Sequence, residues 1–255
     1  MPEKTEHAPG TPSWVDIGTD VEPAKAFYGS LFKWECQDAG PPEETGGYGF
    51  FLRNGKMIAG YGPQQNPGPP TWSTYISVTD AETTAKEAEA AGGTVIVPAM
   101  DVMGAGRMAV FQDPQGGFIS VWQPGDHKGA QLVNEPGALC WNELNSRDPE
   151  GSKTFYQQVF GWVPVTHSEG PMPYTEFQLG GQSVAGMMPM PPAVPAQVPT
   201  FWLVYFAVDD TDASVATTEK LGGSVSMPPM DIPVGRFAVL ADPQGATFAV
   251  IKMTQ

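Results

Sequence analysis

Two short patterns, each a tryptophan followed two residues later by a carboxylate, are the part of this sequence best suited to chemistry. Trp14 precedes Asp16, and Trp141 precedes Glu143. Residues two apart on a β-strand point to the same side, so each indole shares a face with its carboxylate. Such a pair can stack on a planar ligand and hold its cation or hydroxyl, and a carboxylate with a raised pKa can act as a general base. The alternative is structural, with a core tryptophan beside a hydrogen-bonded carboxylate.

Two further matched pairs of side chains are candidate ligand contacts. Tyr75 and Tyr205 each end a Trp-x-x-Tyr segment, and their hydroxyls could donate to a ligand or reach the rim of a pocket. Arg107 and Arg236 begin matching strands, and each follows an aspartate in the same loop. A guanidinium in this position recognises an anion or forms an ion pair with its neighbouring carboxylate.

Histidine and cysteine are too scarce to predict a metal centre or a disulfide framework. His7 lies near the N-terminus, His127 between the two halves and His167 after a helix, so none lies on a predicted cavity strand. Neither His-x-x-x-His nor Cys-x-x-Cys occurs. Cys36 and Cys140 are isolated, which favours buried apolar filler. We therefore expect no bound metal and no other cofactor.

The charge balance argues against several classes of partner. The chain of 255 residues has 28 acidic and 13 basic side chains, a net charge of −15. Such an acidic surface repels phosphate backbones and anionic lipid, so neither nucleic acid nor a membrane is an expected partner. The N-terminal segment lacks an apolar leader, and no run of 18 apolar residues occurs, which predicts a cytoplasmic protein.

The chain is a tandem duplication with an offset of 126 to 130 residues. The matching segments include Phe27-Tyr28 with Phe155-Tyr156, Trp72 with Trp202, and Asp113-Pro114-Gln115-Gly116 with Asp242-Pro243-Gln244-Gly245. The Asp-Pro-Gln-Gly segments read as turns without chemistry. We expect a tail over residues 1–9, a first domain over 10–123, a linker over 124–136 and a second domain over 137–255.

Each half predicts two βαβββ units, so that four units make up an α+β chain. Apolar spacing and end signals predict helices over residues 22–32, 81–91, 149–159 and 211–221, with Asp20 and Asp80 as N-caps. The strands predicted in the first half cover residues 14–17, 48–52, 57–61, 74–78, 94–97, 108–112 and 117–122.

The order of these signals resembles the vicinal oxygen chelate superfamily, which contains glyoxalases, bleomycin-resistance proteins and extradiol dioxygenases. The shared order is a strand, an Asp-capped helix with Phe-Tyr, then Gly-Gly, and then Asp-Pro-x-Gly before a last strand. It covers residues 10–253, once per half, and is closest to two-module actinobacterial glyoxalase-like proteins that are often labelled hydroxylases. The resemblance implies curled mixed sheets around cavities that hold either a divalent metal or an organic ligand.

Metal-dependent members of that superfamily carry their ligands at three strand positions. The resemblance places these positions at Trp14 (with Ser13 as the alternative register), Ser73 and Ser120 in the first half, and at Trp141, Leu203 and Ala249 in the second. None of these side chains is a usual ligand for a transition metal.

The resulting hypothesis is a metal-free protein that binds a small apolar or aromatic molecule, and so sequesters a toxic metabolite as bleomycin-resistance proteins do. One alternative is an enzyme of glyoxalase, lyase, hydroxylase or dioxygenase type that uses Asp16, Glu143 or a displaced metal. Another is a protein-interaction module with vestigial cavities. A monomer is expected and a homodimer is the alternative. The predicted ligand-binding residues are Trp14, Asp16, Ser73, Tyr75, Arg107, Ser120, Trp141, Glu143, Leu203, Tyr205, Arg236 and Ala249.

Overall fold

Two eight-stranded mixed sheets, one from each half of the chain, make up the protein in a computed structural model that describes residues 3–65, 67–169 and 172–254. The elements of the first half are β1 (Pro12–Thr19), α1 (Val21–Phe32), β2 (Glu35–Asp38), α2 (Pro42–Thr45), β3 (Gly49–Arg53), β4 (Lys56–Pro63), β5 (Thr71–Ser77), α3 (Ala81–Ala90), β6 (Thr94–Val102), β7 (Gly106–Gln112) and β8 (Phe118–Pro124). Those of the second half are β9 (Leu139–Ser146), α4 (Pro149–Phe160), β10 (Val163–His167), β11 (Tyr174–Leu179), β12 (Gln182–Pro189), β13 (Phe201–Ala207), α5 (Thr211–Lys220), β14 (Ser224–Ile232), β15 (Gly235–Ala241) and β16 (Thr247–Met253).

The two βαβββ units of each half join at the centre of their sheet. The first sheet has the strand order β2-β3-β4-β1-β5-β8-β7-β6, and the second repeats it as β10-β11-β12-β9-β13-β16-β15-β14. The first strands of the two units, β1 and β5, pair antiparallel, whereas each pairs parallel with the last strand of its own unit. The predicted α+β class and the four βαβββ units are confirmed.

Most predicted elements match the structure, and the exceptions have local causes. The carboxylate of Asp80 caps α3 by accepting the N–H of Thr83 (2.7 Å), as predicted. Asp20 precedes α1, but its side chain makes no capping hydrogen bond. Strand β2 was not predicted, because all four of its residues are exposed and lack an apolar alternation. Cys36 lies on this strand and is exposed, so its prediction as buried filler is wrong.

Each sheet has an inner face that packs against the other half and an outer face that points away from it. Val15 and Ile17 of β1 share one buried cluster with Val204 and Phe206 of β13. A second cluster joins α3 and the strands around it to α4 and its neighbours. Because side chains alternate along a strand, the residues between these apolar positions, including Trp14, lie on the outer face.

Two tyrosine–aspartate hydrogen bonds cross between the halves within this core. Tyr28 of α1 donates to Oδ2 of Asp242 (3.0 Å), and Trp72 donates its indole N–H to the same tyrosine hydroxyl (3.0 Å). The matching bond of the other pair runs from Tyr156 to Asp113 (2.7 Å). The repeated Phe-Tyr and Asp-Pro-Gln-Gly segments therefore fasten the two halves together. No helix among the described residues is both long enough and apolar enough to cross a membrane.

Candidate functional site

A carboxylate enclosed by two tyrosines lies at the centre of the first outer face. Oδ2 of Asp16 accepts hydrogen bonds from Tyr75 (3.0 Å) and Tyr48 (3.1 Å). Trp14 donates its indole N–H to the hydroxyl of Tyr48 (3.0 Å), and Ser73, the cross-strand neighbour of Asp16, also donates to the carboxylate. The indole and carboxylate that were predicted to share a face therefore belong to one hydrogen-bond network.

The second outer face repeats this network around a longer acid. Tyr205 donates to Oε1 of Glu143 (2.9 Å), and Tyr174 also donates to the carboxylate. Trp141 donates its indole N–H to the hydroxyl of Tyr174 (2.8 Å). The cross-strand neighbour of the acid is Leu203, so the second carboxylate lacks the serine hydroxyl of the first.

The strand register shows which residues of the two halves correspond. Trp14 pairs with Tyr75, and Trp141 pairs with Tyr205, so Trp14 rather than Ser13 is the counterpart of Trp141. The next strand adds Ser120 beside Tyr75 and Ala249 beside Tyr205. The structure thus brings the central candidates of each half together on one face: Trp14, Asp16, Ser73, Tyr75 and Ser120 in the first, and Trp141, Glu143, Leu203, Tyr205 and Ala249 in the second.

Burial sets the protonation of both networks. Desolvation raises the pKa of Asp16 to about 6, although its hydrogen bonds from the tyrosines oppose the rise. The pKa of Glu143 is raised for the same reason. Burial and the adjacent acid raise the pKa of Tyr75 and of Tyr205, which keeps these hydroxyls protonated as donors. A carboxyl with a raised pKa beside phenol donors is a chemically competent proton donor or acceptor.

The sequence interpretation missed the second tyrosine of each network. Tyr48 directly precedes β3 and Tyr174 is the first residue of β11, and each reaches its carboxylate by crossing a glycine of the neighbouring strand. A Cβ at Gly60 would overlap the hydroxyl of Tyr48, and one at Gly186 would overlap that of Tyr174. A glycine inside an apolar strand, repeated at the duplication offset, was the available signal for such a close approach.

Gly60→Ala is therefore expected to displace Tyr48 and to lower the free energy of unfolding by about 2 kcal/mol, the usual cost of forcing an extra methyl group into packed surroundings. Chemical denaturation measures this loss. Gly18→Ala, in the adjacent strand, is the matched control because its Cβ would meet only the backbone of Gln64 at 3.7 Å. Equal losses for the two variants would contradict the close-approach explanation.

Arg107 and Arg236 do not join these networks. Arg107 Nε lies 3.7 Å from Asp101, and Arg236 contacts both Asp212 (2.8 Å) and Asp231 (3.1 Å). The residue after each arginine packs in an outer-face cluster, so the arginines point to the helix side of their sheets. Both arginines therefore lie beside aspartates, which agrees with the ion-pair alternative rather than with an anion site. A surface depression of about 410 Å³ is lined by Arg236, and Glu143 is not among the residues that line it.

The chain between the two sheets covers the first outer face. His127 lies on no strand, yet its ring centroid is 4.4 Å from that of Trp14 and 5.6 Å from that of Trp122. Trp14 is only 3% exposed as a result. The cluster on the second outer face draws its described members from β9 and β13–β16 alone, and Trp141 within it is partly exposed. The two tryptophans thus differ in their access to solvent, whereas the acids show the opposite order, with Asp16 half-buried and Glu143 buried.

Comparison with known proteins places this arrangement in a family. The model of the Glyoxalase/Bleomycin resistance protein/Dioxygenase superfamily matches residues 17–121 and 128–250, one match for each sheet. The chain belongs to this superfamily. It is 44% identical over 265 residues to "Putative glyoxylase CFP32" of Mycobacterium tuberculosis, which covers 99% of this chain and 98% of the relative. It is 37% identical over 267 residues to "Anthracycline biosynthesis protein DnrV" of Streptomyces peucetius, covering 98% and 96% of the two chains.

Solved structures of the superfamily share the fold at low sequence identity. The Mn(II)-bound glyoxalase of Novosphingobium aromaticivorans superimposes with a TM-score of 0.66 at 18% identity, covering 95% of this chain and 82% of that one. The 2,3-dioxygenase LapB of Pseudomonas sp. KL28 gives 0.65 at 14% identity, covering 96% and 92%. These similarities concern the fold.

The residues of this superfamily member do not fit a metal at the positions that the family resemblance implies. Those positions carry an indole and two hydroxyls in the first half, and an indole and two aliphatic side chains in the second. The nearby acid of the first half, Asp16, is already held by two phenol donors. Within residues 3–65, 67–169 and 172–254, no group of three or more His, Cys, Asp or Glu side chains is placed to hold an ion.

Proposed function

We propose that this superfamily member binds a small planar aromatic molecule with phenol or quinone oxygens on its second outer face, without a metal. The observation that carries the proposal is the hydrogen bond from Tyr205 to the buried Glu143 (2.9 Å) on a face that is otherwise apolar and partly open. Binding of such a molecule would sequester it from solution.

The chemistry of the second face suits an oxygenated aromatic ring. Trp141, Leu203 and Phe237 supply apolar and aromatic surface around the carboxylate. Glu143 retains acceptor capacity for a phenol O–H, because two carboxylate oxygens accept about four hydrogen bonds. A ligand hydroxyl next to Glu143 would form a hydrogen bond with the carboxylate. A few polar groups placed in this way give an apolar pocket its specificity.

The relatives support the aromatic character of the ligand. Two of them are named anthracycline biosynthesis proteins, and they match this chain over 98% of its length. Anthracyclines are planar polycyclic quinones that carry phenol groups. A molecule of that class presents both the flat apolar surface and the hydrogen-bonding oxygens that the second face complements.

Binding of quinizarin (1,4-dihydroxyanthraquinone) tests this function. We expect saturable binding of about one equivalent, and a Kd about tenfold or more weaker for Glu143→Leu, a loss of ~1.4 kcal/mol. Titration followed by tryptophan quenching and calorimetry measures both quantities. Glu219→Gln, an exposed acid on α5, is the control and should bind like the wild type. Absent saturation, or equal affinity in Glu143→Leu, would refute the proposal.

A second candidate function, proton transfer to or from the bound ligand, is favoured by the raised pKa of Glu143. In this case the carboxylate removes a proton from a carbon next to a ligand carbonyl, and the hydroxyl of Tyr205, released as Glu143 becomes protonated, turns to donate to the oxyanion. It predicts deuterium uptake from heavy water into a bound carbonyl ligand with wild type. Glu143→Gln should abolish the uptake while binding persists.

The proposal includes the setting in which the protein works. We propose a monomer, because the inner faces of the two sheets already cover each other within one chain. A net charge of −15 disfavours nucleic acid and anionic membranes as partners. The free cysteines Cys36 and Cys140 suit a reducing, cytoplasmic compartment.

A further inference from the structure

Residues 125–131, the strap, cross the first outer face and are fastened to it by backbone hydrogen bonds. The N–H of Ala130 donates to the carbonyl of Ser13 (2.8 Å), and the N–H of Gln131 donates to that of Met57 (2.8 Å). Residues 3–8 also contact the strap: the buried ring of His7 lies 2.9 Å from the carbonyl of Ala130, and the N–H of Lys4 donates to the carbonyl of Gln131 (2.8 Å).

The strap places one planar ring among three aromatic side chains. Trp14, Phe50 and Trp122, the aromatic box, surround the imidazole of His127 at centroid distances of 4.4, 5.9 and 5.6 Å. The two tryptophans meet the imidazole nearly edge to face, at 82° and 68°. Edge-to-face contacts at these distances are the favoured geometry between aromatic rings. The imidazole is thus packed among three aromatic rings.

The imidazole is a poor permanent filler for this box. Both of its ring nitrogens are buried, and no described residue hydrogen-bonds to either of them. A buried polar group without a partner costs free energy that an apolar ring of the same shape would not. Burial, together with the neighbouring His7, also lowers the pKa of His127 to about 4, so the ring is neutral at ordinary pH.

The strap is also fastened differently from the sheet that it covers. Asp126 and Lys128, which flank the histidine, are exposed, and the strap forms no strand of its own. Trp122 holds it at the carbonyl of His127 (2.9 Å). Five of its backbone N–H groups, those of residues 125–127, 130 and 131, donate to carbonyls outside the strap. Because none of these bonds belongs to a strand ladder and exposed residues flank the histidine, we expect the strap to open more readily than the strands beneath it.

We propose that the aromatic box is a binding site for a neutral planar heteroaromatic ring, which the chain fills with its own His127. An external ring of this class binds only when the strap leaves the first outer face. The aromatic box of the first face is therefore self-occupied, whereas Trp141 of the second face is partly exposed. This inference uses only contacts of the first half and does not depend on quinizarin binding to the second.

Removing the imidazole of His127 by mutation and adding free imidazole in its place tests the site directly. His127→Gly removes the imidazole, and we expect free imidazole, used well above its own pKa, to bind the vacated box. Binding should raise the Tm of the variant in a saturable way and change its tryptophan fluorescence, whereas wild type should show neither effect. His167→Gly is the matched control, because its imidazole is about half exposed and leaves no enclosed space. If the His127→Gly protein folds but imidazole changes neither its Tm nor its tryptophan fluorescence, the proposal is overturned.

Hydrogen exchange of the unmodified protein provides the second measurement, which holds even if the variant does not fold. The amides of Ala130 and Gln131 should be protected about 100-fold less than those of β1, because the strap opens without unfolding of the sheet. Equal protection of the strap and β1 would mean that the box never becomes free, and would likewise overturn the proposal.

Discussion

Asp242→Ala is expected to lower the free energy of unfolding by about 4 kcal/mol, since its carboxylate satisfies three donors in a buried place. Oδ2 accepts from Tyr28 of the other half, and Oδ1 accepts the N–H groups of Gln244 and Ala246 (both 2.9 Å). Asp242 is only 3% exposed, so water cannot readily replace it. Urea denaturation followed by circular dichroism measures the loss.

Three related substitutions separate the causes of this loss. Asp242→Asn keeps an acceptor oxygen for the turn and should lose less than the alanine variant. Tyr28→Phe removes only the bond between the halves and the acceptor of Trp72, and should cost about 1–3 kcal/mol. Asp209→Ala, at an exposed position, is the control and should cost less than about 0.5 kcal/mol. If Asp242→Ala were as stable as this control, the aspartate would not join the halves.

Between pH 4 and pH 8, the stability of wild type relative to Asp16→Asn is expected to fall by about 2.4 kcal/mol, most of the ~3 kcal/mol that the whole pKa shift is worth at ~1.4 kcal/mol per pKa unit. The pKa of Asp16 is about 6 in the folded protein, against a reference value of 3.8. The folded state therefore holds the proton more tightly than the unfolded state. This stabilisation is fully present below the reference pKa and is lost as the pH rises through about 6.

Parallel denaturation series of the two proteins at several pH values measure this shift. The lowered pKa of His127 acts in the opposite direction, since acidification destabilises the fold, but it is common to both proteins and cancels in the difference. Tyr75→Phe removes a hydrogen bond that lowers the pKa of Asp16. In this variant, the stabilisation should therefore be lost at a higher pH than in wild type. Identical pH profiles for wild type and Asp16→Asn would show that the carboxyl titrates as it does in the unfolded chain.

Local periodicity was enough to predict the units and the faces of the central strands. Alternation along β1 put Trp14 and Asp16 on one side, and the duplication transferred this result to Trp141 and Glu143. Both sets proved to be hydrogen-bond networks because the first strands of the two units pair at the sheet centre. That pairing also brought Tyr75 to Asp16, a contact that the sequence interpretation did not include.

Contacts that depend on the path of the chain in space could not be predicted in this way. Tyr48 reaches Asp16 only because β3 lies beyond β4 in the sheet order. The Asp-Pro-Gln-Gly turns were recognised as turns, but the partner of Asp242 lies 214 residues away. His127 belongs to an irregular segment, where no periodicity indicates which surface a ring will meet.

Because the inner faces of the two sheets pack against each other, the sequences of the two halves have diverged less in the shared core than on the outer faces. The pairs that hold the halves together are identical after duplication, as in Tyr28 with Tyr156 and Trp72 with Trp202. The outer faces point away from each other and keep one tryptophan and two tyrosines in common, but the residues around these differ: Asp16 with Glu143, Ser73 with Leu203, Ser120 with Ala249, and Trp122 with Ile251. One shared core thus supports two surfaces that can change their ligand preferences independently, so a single folding unit can acquire a second specificity without giving up the first.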